Sequence, residues 1–449
     1  MRAKMSLFVG IGKYIFQNSI SLLTFAVFLG NVPFMKRYLT LILLLFSLLP
    51  GLFAQPSDSV RVSLVTCSPA GAVWQQYGHT ALRYQDPSRQ MDVAVNYGLF
   101  SFSQPHFVWR FVTGQTDYIV GAEPWASFLE EYMDRGSSVT LQELSLTPSA
   151  KQRLYNLLAE NLQPGNREYR YNFLYKNCST MARDILFASI SLDSVCYAPA
   201  DSLTYRQILH ESNARYPWSS FGIDLLLGKD ADEPVDAVAQ DFSPLYLSRH
   251  FATATLTAAA DSLPADSLAA TEHIVPLVAA TQTIVSPNPL SEPRPFPLTP
   301  EQAMWLLLLL TAIVCMLELI GERIHWWFDI LLFGLQGLAG VIVTFLFFFS
   351  THPCTDSNLL VLLLNPVPLV CLPFIVSQSR RRGVNTGACA VAFLVLGFLA
   401  AQLLIHQQVP RSVYIFSAAL LLRLFHHTVL RGYLLKMKPK NKLGIVRNS

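Results

Sequence analysis

The stretch Tyr171-Asn172-Phe173-Leu174-Tyr175-Lys176-Asn177-Cys178-Ser179-Thr180-Met181-Ala182-Arg183-Asp184 changes character at Asn177. From there Met181, Ile185 and Ala188 recur at helical spacing, so a helix opens at or next to Cys178. The partial positive charge of a helix N-terminus stabilises a thiolate, and free backbone N–H groups at such an end can hold an oxyanion. A buried, inert thiol is the common fate of a free cysteine. The polar neighbours Asn177, Ser179 and Thr180 argue instead for a nucleophile.

A thiol nucleophile needs a base, and the soluble part offers His79, His106, His210 and His250. Upstream, residues 60–66 alternate at period two and predict a strand. Residues 77–84 and 91–99 are two further strand-like runs separated by Asp86-Pro87-Ser88-Arg89, a turn sequence. Thr147-Pro148 predicts an N-cap and first position for a helix carrying Leu154, Leu157 and Leu158 on its apolar face. His79 lies in the first hairpin strand, directly after Gly78. A turn centred on Pro87-Ser88 pairs Tyr84 with Met91 and His79 with Asn96. Paired residues share a face with Cβ atoms about 4.5–5.5 Å apart, so the Asn96 amide can fix the imidazole tautomer, the Cys-His-Asn logic of papain-like enzymes. The alternative is a strand histidine satisfied by a backbone carbonyl.

Composition sets the surroundings. Of 449 residues 52% are apolar and 14% charged, against about 25% charged in a soluble domain, and the mean hydropathy is +0.35. An ordinary cytosolic enzyme and a disordered chain are excluded. Residues 1–54 carry five basic and no acidic residues, residues 55–300 have 16 basic and 25 acidic, and residues 301–449 have 12 basic and five acidic. No basic stripe suits nucleic acid.

Met35-Lys36-Arg37, an apolar run and a small residue at Ala54 describe a secretory signal peptide. Residues 1–34 are then either the product of a start site placed too early or an extra anchor. Five apolar segments, at residues 304–320, 328–350, 359–377, 386–406 and 412–430, are long enough to cross a bilayer. Basic residues collect at 380–382 and after 430, which by the positive-inside rule puts those segments in the cytoplasm and the acidic domain outside. The expected organisation is an N-terminal extension with signal peptide (1–54), a periplasmic thiol domain (55–252), an Ala/Ser/Thr/Pro tether (253–300), five transmembrane helices (301–430) and a basic cytoplasmic tail (431–449) in the inner membrane. The outer loop with His352, Asp356 and Asn358 is either a functional surface or a plain loop. Trp218, Phe221 and residues 225–227 form either a lipid-facing edge or a core helix.

Cys67, Cys178 and Cys196 are the cysteines of the soluble domain, an odd number for an oxidising compartment. Cys67 is either packed or bridged to Cys196. No CxxC or HxxxH spacing, G-x-S-x-G elbow or phosphate-cradling loop occurs, and neither metal nor cofactor is expected.

A strand histidine, a polar partner on the next strand and a later Asn-Cys opening a helix resemble the circularly permuted NlpC-type papain-like superfamily, which includes the lecithin:retinol acyltransferase group. Cys67 to Gly71 (CSPAG), Tyr77 to Arg83 (YGHTALR), Asn96 to Phe102 (NYGLFSF), Tyr171 to Thr180 (YNFLYKNCST) and Trp218 to Gly228 (WSSFGIDLLLG) resemble more closely the periplasmic domain of the Lnb family, the lipoprotein N-acyltransferases of Bacteroidota. Thr351 to Asn358 (THPCTDSN), Leu364 to Pro366 (LNP) and the five spans resemble that family's membrane domain. The resemblance implies an α+β papain-like domain followed by an all-α domain of five helices, with Cys178 as nucleophile and His79 as base; Asn96 as orienter rests on the hairpin register. It further implies a phospholipid acyl donor and a diacylglyceryl lipoprotein acceptor. The rivals are a membrane-anchored NlpC-type cell-wall peptidase or amidase, for which one anchoring helix would suffice, and a non-enzymatic scaffold or transporter.

Overall fold

A computed structural model describes residues 59–103, 105–190, 195–258, 273–287, 296–321, 323–379 and 384–430. The signal peptide, the arginine triplet and the basic tail lie outside them. The soluble part is organised by an antiparallel sheet of strands β1 (Arg61–Cys67), β2 (His79–Asp86), β3 (Met91–Leu99), β4 (Asp117–Pro124), β5 (Val139–Leu144), β6 (Glu168–Arg170) and β7 (Val278–Val285). The spatial order is β7-β5-β1-β2-β3-β4-β6. Its helices are α1 (Phe107–Val112), α2 (Trp125–Asp134), α3 (Pro148–Asn161), α4 (Cys178–Ser189), α5 (Tyr205–Ser212), α6 (Pro217–Leu226) and α7 (Pro244–Thr253).

Alternation along the strands feeds two cores. Val62, Leu64, Leu82, Val95 and Tyr97 face Leu154 and Leu158 of α3 and Ile185 and Leu186 of α4. Val65, Cys67, Ala81 and Ala94 face Trp125, Phe128 and Tyr132 of α2. As Thr147-Pro148 predicts, Thr147 Oγ1 accepts from Ala150 N at 3.2 Å and Pro148 opens α3.

The hairpin register differs from expectation by two residues: Asp86 pairs with Met91, and Asn96 faces Ala81 where His79 was expected. The Asp86 carboxylate accepts from the N–H groups of Ser88 (3.0 Å) and Arg89 (3.3 Å), and Gln90 takes a left-handed φ of 48°. That tightens the turn and lengthens the ladder. Because the displacement is even, His79 and Asn96 keep the same face.

The tether reading is also corrected. Residues 278–285 form β7, paired to β5, while Thr255–Ala258 pairs with His273–Pro276 and with Val195–Cys196. Composition poor in large apolar residues argues against a packed core, but an edge strand needs only backbone pairing, and most of β7 is exposed.

The membrane part contains α8 (Pro300–Gly321), α9 (Trp326–Phe349), α10 (Val367–Gln378), α11 (Thr386–Leu404) and α12 (Arg411–Phe425). Five segments of the described residues are long and apolar enough to span a bilayer, the third being Leu359–Gln378. That third span is broken: a short 3-10 turn at Leu359–Leu362 precedes Asn365-Pro366, where α10 starts. Asn365 makes the break tolerable by donating to Leu362 O (2.8 Å) and accepting from Val367 N (3.0 Å). Gly340 of α9 lies so close that a Cβ there would stand 2.3 Å from the Asn365 backbone.

The soluble domain is docked onto one end of this bundle. Thr351 N and Oγ1 each donate to Thr113 O at 3.1 Å, and Ser350 Oγ donates to Val112 O at 2.9 Å. His352 Nε2 donates to Phe111 O at 2.6 Å, and Asn358 Nδ2 to Leu225 O at 2.9 Å. A Cβ on Gly114 would meet Thr351 at 2.5 Å, and one on Gly228 the Ser357 backbone at 2.3 Å. The outer loop left open by sequence is therefore a docking surface; Asp356 is exposed on it. Phe221 and Leu225 of α6 pack against the apolar core of the membrane helices.

Candidate active site

Asn177 decides the local geometry. Its Oδ1 accepts from Ser179 N (2.9 Å) and Thr180 N (3.0 Å), while its Nδ2 donates to Phe173 O and Phe242 O, both at 2.8 Å. Thr180 Oγ1 accepts the Asn177 N–H at 2.9 Å, completing a capping box. Cys178 is thereby fixed as the first residue of α4, its own N–H not among those the asparagine caps.

The N-terminus of α4 meets the start of β2. Thr80 Oγ1 and Ser179 Oγ, both fully buried, lie 2.9 Å apart, and His79 and the Thr80 N–H lie close enough to the Cys178 thiol to favour its thiolate. On the other side of the imidazole, His79 Nε2 stands 3.0 Å from Asn96 Oδ1. Asn96 Nδ2 donates to Glu123 Oε1 at 2.9 Å. This assigns the amide, so in the neutral ring the His79 Nε2–H donates and Nδ1 carries the free lone pair. The ring is stacked on Tyr132 at 6.0 Å between centroids. The result is a chain Cys178–His79–Asn96–Glu123, with the imidazole fixed in plane and in tautomer.

Burial works against charge at both Cys178 and His79, yet the Cys178 thiol lies below its ordinary range. The charge of His79, its hydrogen bond, the Thr80 N–H and the Ser179 hydroxyl together favour the thiolate. His79 is correspondingly held above the ordinary histidine range: desolvation opposes this, but the thiolate charge, its hydrogen bond and Asn96 outweigh it. Cys67 differs. It is buried opposite His79 on β1, and burial pushes its thiol far up, so it stays protonated and inert.

The remaining candidates are elsewhere. His210 Nε2 is 2.8 Å from Asp224 Oδ1, His250 Nδ1 is 2.7 Å from Asp241 Oδ1, and His106 is exposed at the start of α1. Cys67 and Cys196 are both free, so the bridge between them is not formed. Among the described residues no cluster of His, Cys, Asp and Glu has the arrangement of a metal site.

Glu123, Thr80, Tyr132 and Tyr169 escaped the sequence reading. Thr80 adjoins His79 on β2 and shows its role only through Ser179, Glu123 arrives through the pairing of β3 with β4, Tyr169 through that of β4 with β6, and Tyr132 from α2.

An aromatic platform connects the site to the membrane helices. Phe100 stacks on Phe107 (5.8 Å) and Tyr118 (5.0 Å), Phe107 on Phe111 (6.1 Å), and Tyr118 on Tyr171 (4.0 Å). Trp109 of α1 packs on Phe345 of α9 at 5.3 Å. Trp74, Phe102, Val108 and Trp109 are 60–73% exposed, a contiguous apolar surface of a kind that soluble proteins avoid.

Two family models match the chain: the Lnb N-terminal periplasmic domain over residues 54–211 and the Lnb transmembrane domain over residues 291–433. No curated protein and no solved structure matches it. The two matches together cover more than half of the chain, and they coincide with the sheet domain bearing Cys178 and with the five apolar helices. The chain belongs to the Lnb family, whose periplasmic and transmembrane domains it carries in that order.

Proposed function

We propose that the protein is a thiol-dependent lipoprotein N-acyltransferase that takes an acyl chain from a phospholipid. The observation that carries this is a Cys178–His79–Asn96 chain on a domain held against the outer ends of membrane helices, with an exposed aromatic surface between the two. His79 takes the thiol proton, and the Cys178 sulfur attacks the ester carbonyl. The intermediate collapses to a thioester as His79 returns the proton to the departing lysophospholipid oxygen. In the second half-reaction an amine attacks the thioester, His79 takes its proton, and Cys178 leaves. An α-amine with a pKa of about 7.7–8.0 is substantially neutral near pH 8 and is a competent acceptor. The acceptor in this reading is the α-amine of a diacylglyceryl-cysteine lipoprotein.

A transferase must keep water from its thioester until the amine arrives, which calls for an apolar approach. Phe100, Phe102, Phe107, Trp109 and Phe111 supply one next to the bilayer. In this reading the protein lies in the inner membrane with the catalytic domain in the periplasm and the C-terminus in the cytoplasm.

Detergent-purified protein incubated with phospholipid is expected to yield S-acylated Cys178 and lysophospholipid. Adding a diacylated lipopeptide should then discharge the thioester into a triacylated product. Cleaved muropeptides with no acylated Cys178 would instead establish a cell-wall peptidase.

A further inference from the structure

Every acyl transfer through Cys178 places a negative charge on the former carbonyl oxygen. Helix N-terminal N–H groups are one source of stabilisation; a second donor stands across the thiol. Tyr169, the inward residue of β6, points into the core with only 9% of its surface exposed. Its hydroxyl has no hydrogen-bond partner among the described residues. The Gly98 N–H approaches this oxygen without reaching hydrogen-bond geometry, and being itself a donor it leaves the phenolic proton with nothing to bond.

Gly98 marks the space beside the hydroxyl. At φ +86° it lies within an irregularity in the β3–β4 pairing between Asn96 and Leu99. A Cβ built on Gly98 would lie 3.7 Å from Cys178 Cβ and 4.0 Å from Tyr169 Oη. The phenol and the nucleophilic residue therefore flank one small space that a side chain at position 98 would fill. Tyr97, its neighbour in the core, illustrates the contrast, for its hydroxyl accepts from Asn161 Nδ2 at 3.0 Å.

We propose that the Tyr169 hydroxyl donates to the oxyanion of the tetrahedral intermediate formed at Cys178, a role that rests on the thiol-acyl chemistry proposed above. Attack by the thiolate on the carbonyl carbon forms the C–S bond and moves the carbonyl π pair onto oxygen. The Oη–H then bonds that oxygen without giving up its proton, and the pair returns to carbon as the C–O bond to the leaving group breaks and His79 protonates the departing oxygen. Burial pushes the phenol up, so it stays protonated as this requires. A buried hydroxyl without a partner costs stability, and a site that needs a donor only at the transition state accounts for its retention.

The test is Tyr169→Phe in the full-length, detergent-solubilised protein. Since the hydroxyl holds no partner in the resting state, the variant should melt at or above the wild-type temperature. Acylation of Cys178 by phosphatidylethanolamine and by a p-nitrophenyl ester should each fall by about 10²–10³-fold, the loss typical of one oxyanion donor. Alkylation of Cys178 by iodoacetamide, a displacement with no oxyanion, should keep its rate and pH profile. Equal losses in alkylation and acylation would overturn the proposal, making Tyr169 a support of the thiolate, and so would acylation within a few-fold of wild type. If wild type is acylated by the p-nitrophenyl ester alone, the phospholipid reading fails while the role of Tyr169 is still decided on that ester.

Discussion

Removing the Asn96 side chain separates orientation from reaction, because this residue touches the imidazole and not the thiol. In Asn96→Ala the His79 Nε2–H loses the acceptor that stands 3.0 Å away, and Glu123 loses the amide donor at 2.9 Å. The first loss matters most when His79 is charged, which is its state in the thiolate–imidazolium pair and in both tetrahedral intermediates. A hydrogen bond to a charged group contributes about 1.5–3 kcal/mol, and at about 1.4 kcal/mol per factor of ten acylation should fall by about 10- to 100-fold. The same loss removes one of the influences holding His79 up, and with a weaker imidazolium the Cys178 thiolate is less favoured. The pH profile of iodoacetamide alkylation should therefore move to higher pH. The assay is stopped-flow alkylation across pH together with single-turnover acylation. The sheet should stay intact, since Asn96 pairs through its backbone with Ala81 and Gly121. A folded Asn96→Ala protein with wild-type acylation and an unmoved alkylation profile would refute the reasoning.

Cys178→Ser should abolish acylation, whereas Cys67→Ser, which puts a hydroxyl into an apolar layer beneath α2, should lower the melting temperature and leave Cys178 alkylation in place; an inactive but stable Cys67→Ser would make Cys67 the nucleophile. Acylation should follow a bell in pH whose acid limb lies below the ordinary thiol range, because Cys178 is depressed, and whose alkaline limb lies above the ordinary histidine range, because His79 is raised; a single rise near the ordinary thiol range would contradict the ion pair. Gly228→Val forces a side chain where a Cβ already stands 2.3 Å from Ser357; acylation from phospholipid vesicles should drop at least tenfold, about the 1.4 kcal/mol threshold, while iodoacetamide alkylation holds, and parallel losses would mean a folding defect. Reporter fusions at Ser449 should read cytoplasmic and fusions within residues 259–272 periplasmic; an exported C-terminus would overturn the orientation.

The sequence was most legible where the governing physics is local. Asn177 before Cys178 is an N-cap by chemistry, and α4 begins there. Five apolar runs became five candidate spans because span length is set by the bilayer. The hairpin register was misread by two, since whether Asp86 folds back to cap Ser88 and Arg89 is decided by turn geometry. His79 and Asn96 are not paired, yet their side chains still meet because strand faces repeat every two residues; a misreading by one would have separated them. Glu123 and Tyr169 depended on which strands flank β3 and on the irregularity after Asn96, both fixed by long-range pairing. Residues 253–300 misled for a different reason. Composition reports what side chains can bury, whereas β7 is held by backbone hydrogen bonds to β5, which composition does not report.

The membrane helices bear on the chemistry through the contacts that hold them together. Helices solvated by lipid gain little from apolar contact with one another and are held by close backbone approach and polar contacts. Both occur here. Gly337 and Gly340 of α9 sit against Leu369 and the Asn365 break. At the end away from the docked domain, Arg423 of α12 is fully buried between two carboxylates, meeting Glu318 of α8 at 2.9 Å through both terminal nitrogens and Asp329 of α9 at 2.6 and 3.0 Å. His426 and His427 bond the same two carboxylates at 2.8 Å each. Breaking a buried pair of this kind costs about 3–5 kcal/mol, so α8, α9 and α12 are tied together at that end. The loops joining α9 to α10 and α11 to α12 leave the other end of the helices and grip the soluble domain, through Thr351 and Asn358 on one and Gln407 on the other. Polar contacts thus run from Arg423 at one end of the helices to the backbone of α1 and α6 at the other, and in the proposed reaction this clamp would fix the height of Cys178 relative to the bilayer. A peptidase working on a polymer in solution gains nothing from a fixed height. A thiol that must meet an ester buried at the level of the lipid head groups depends on it.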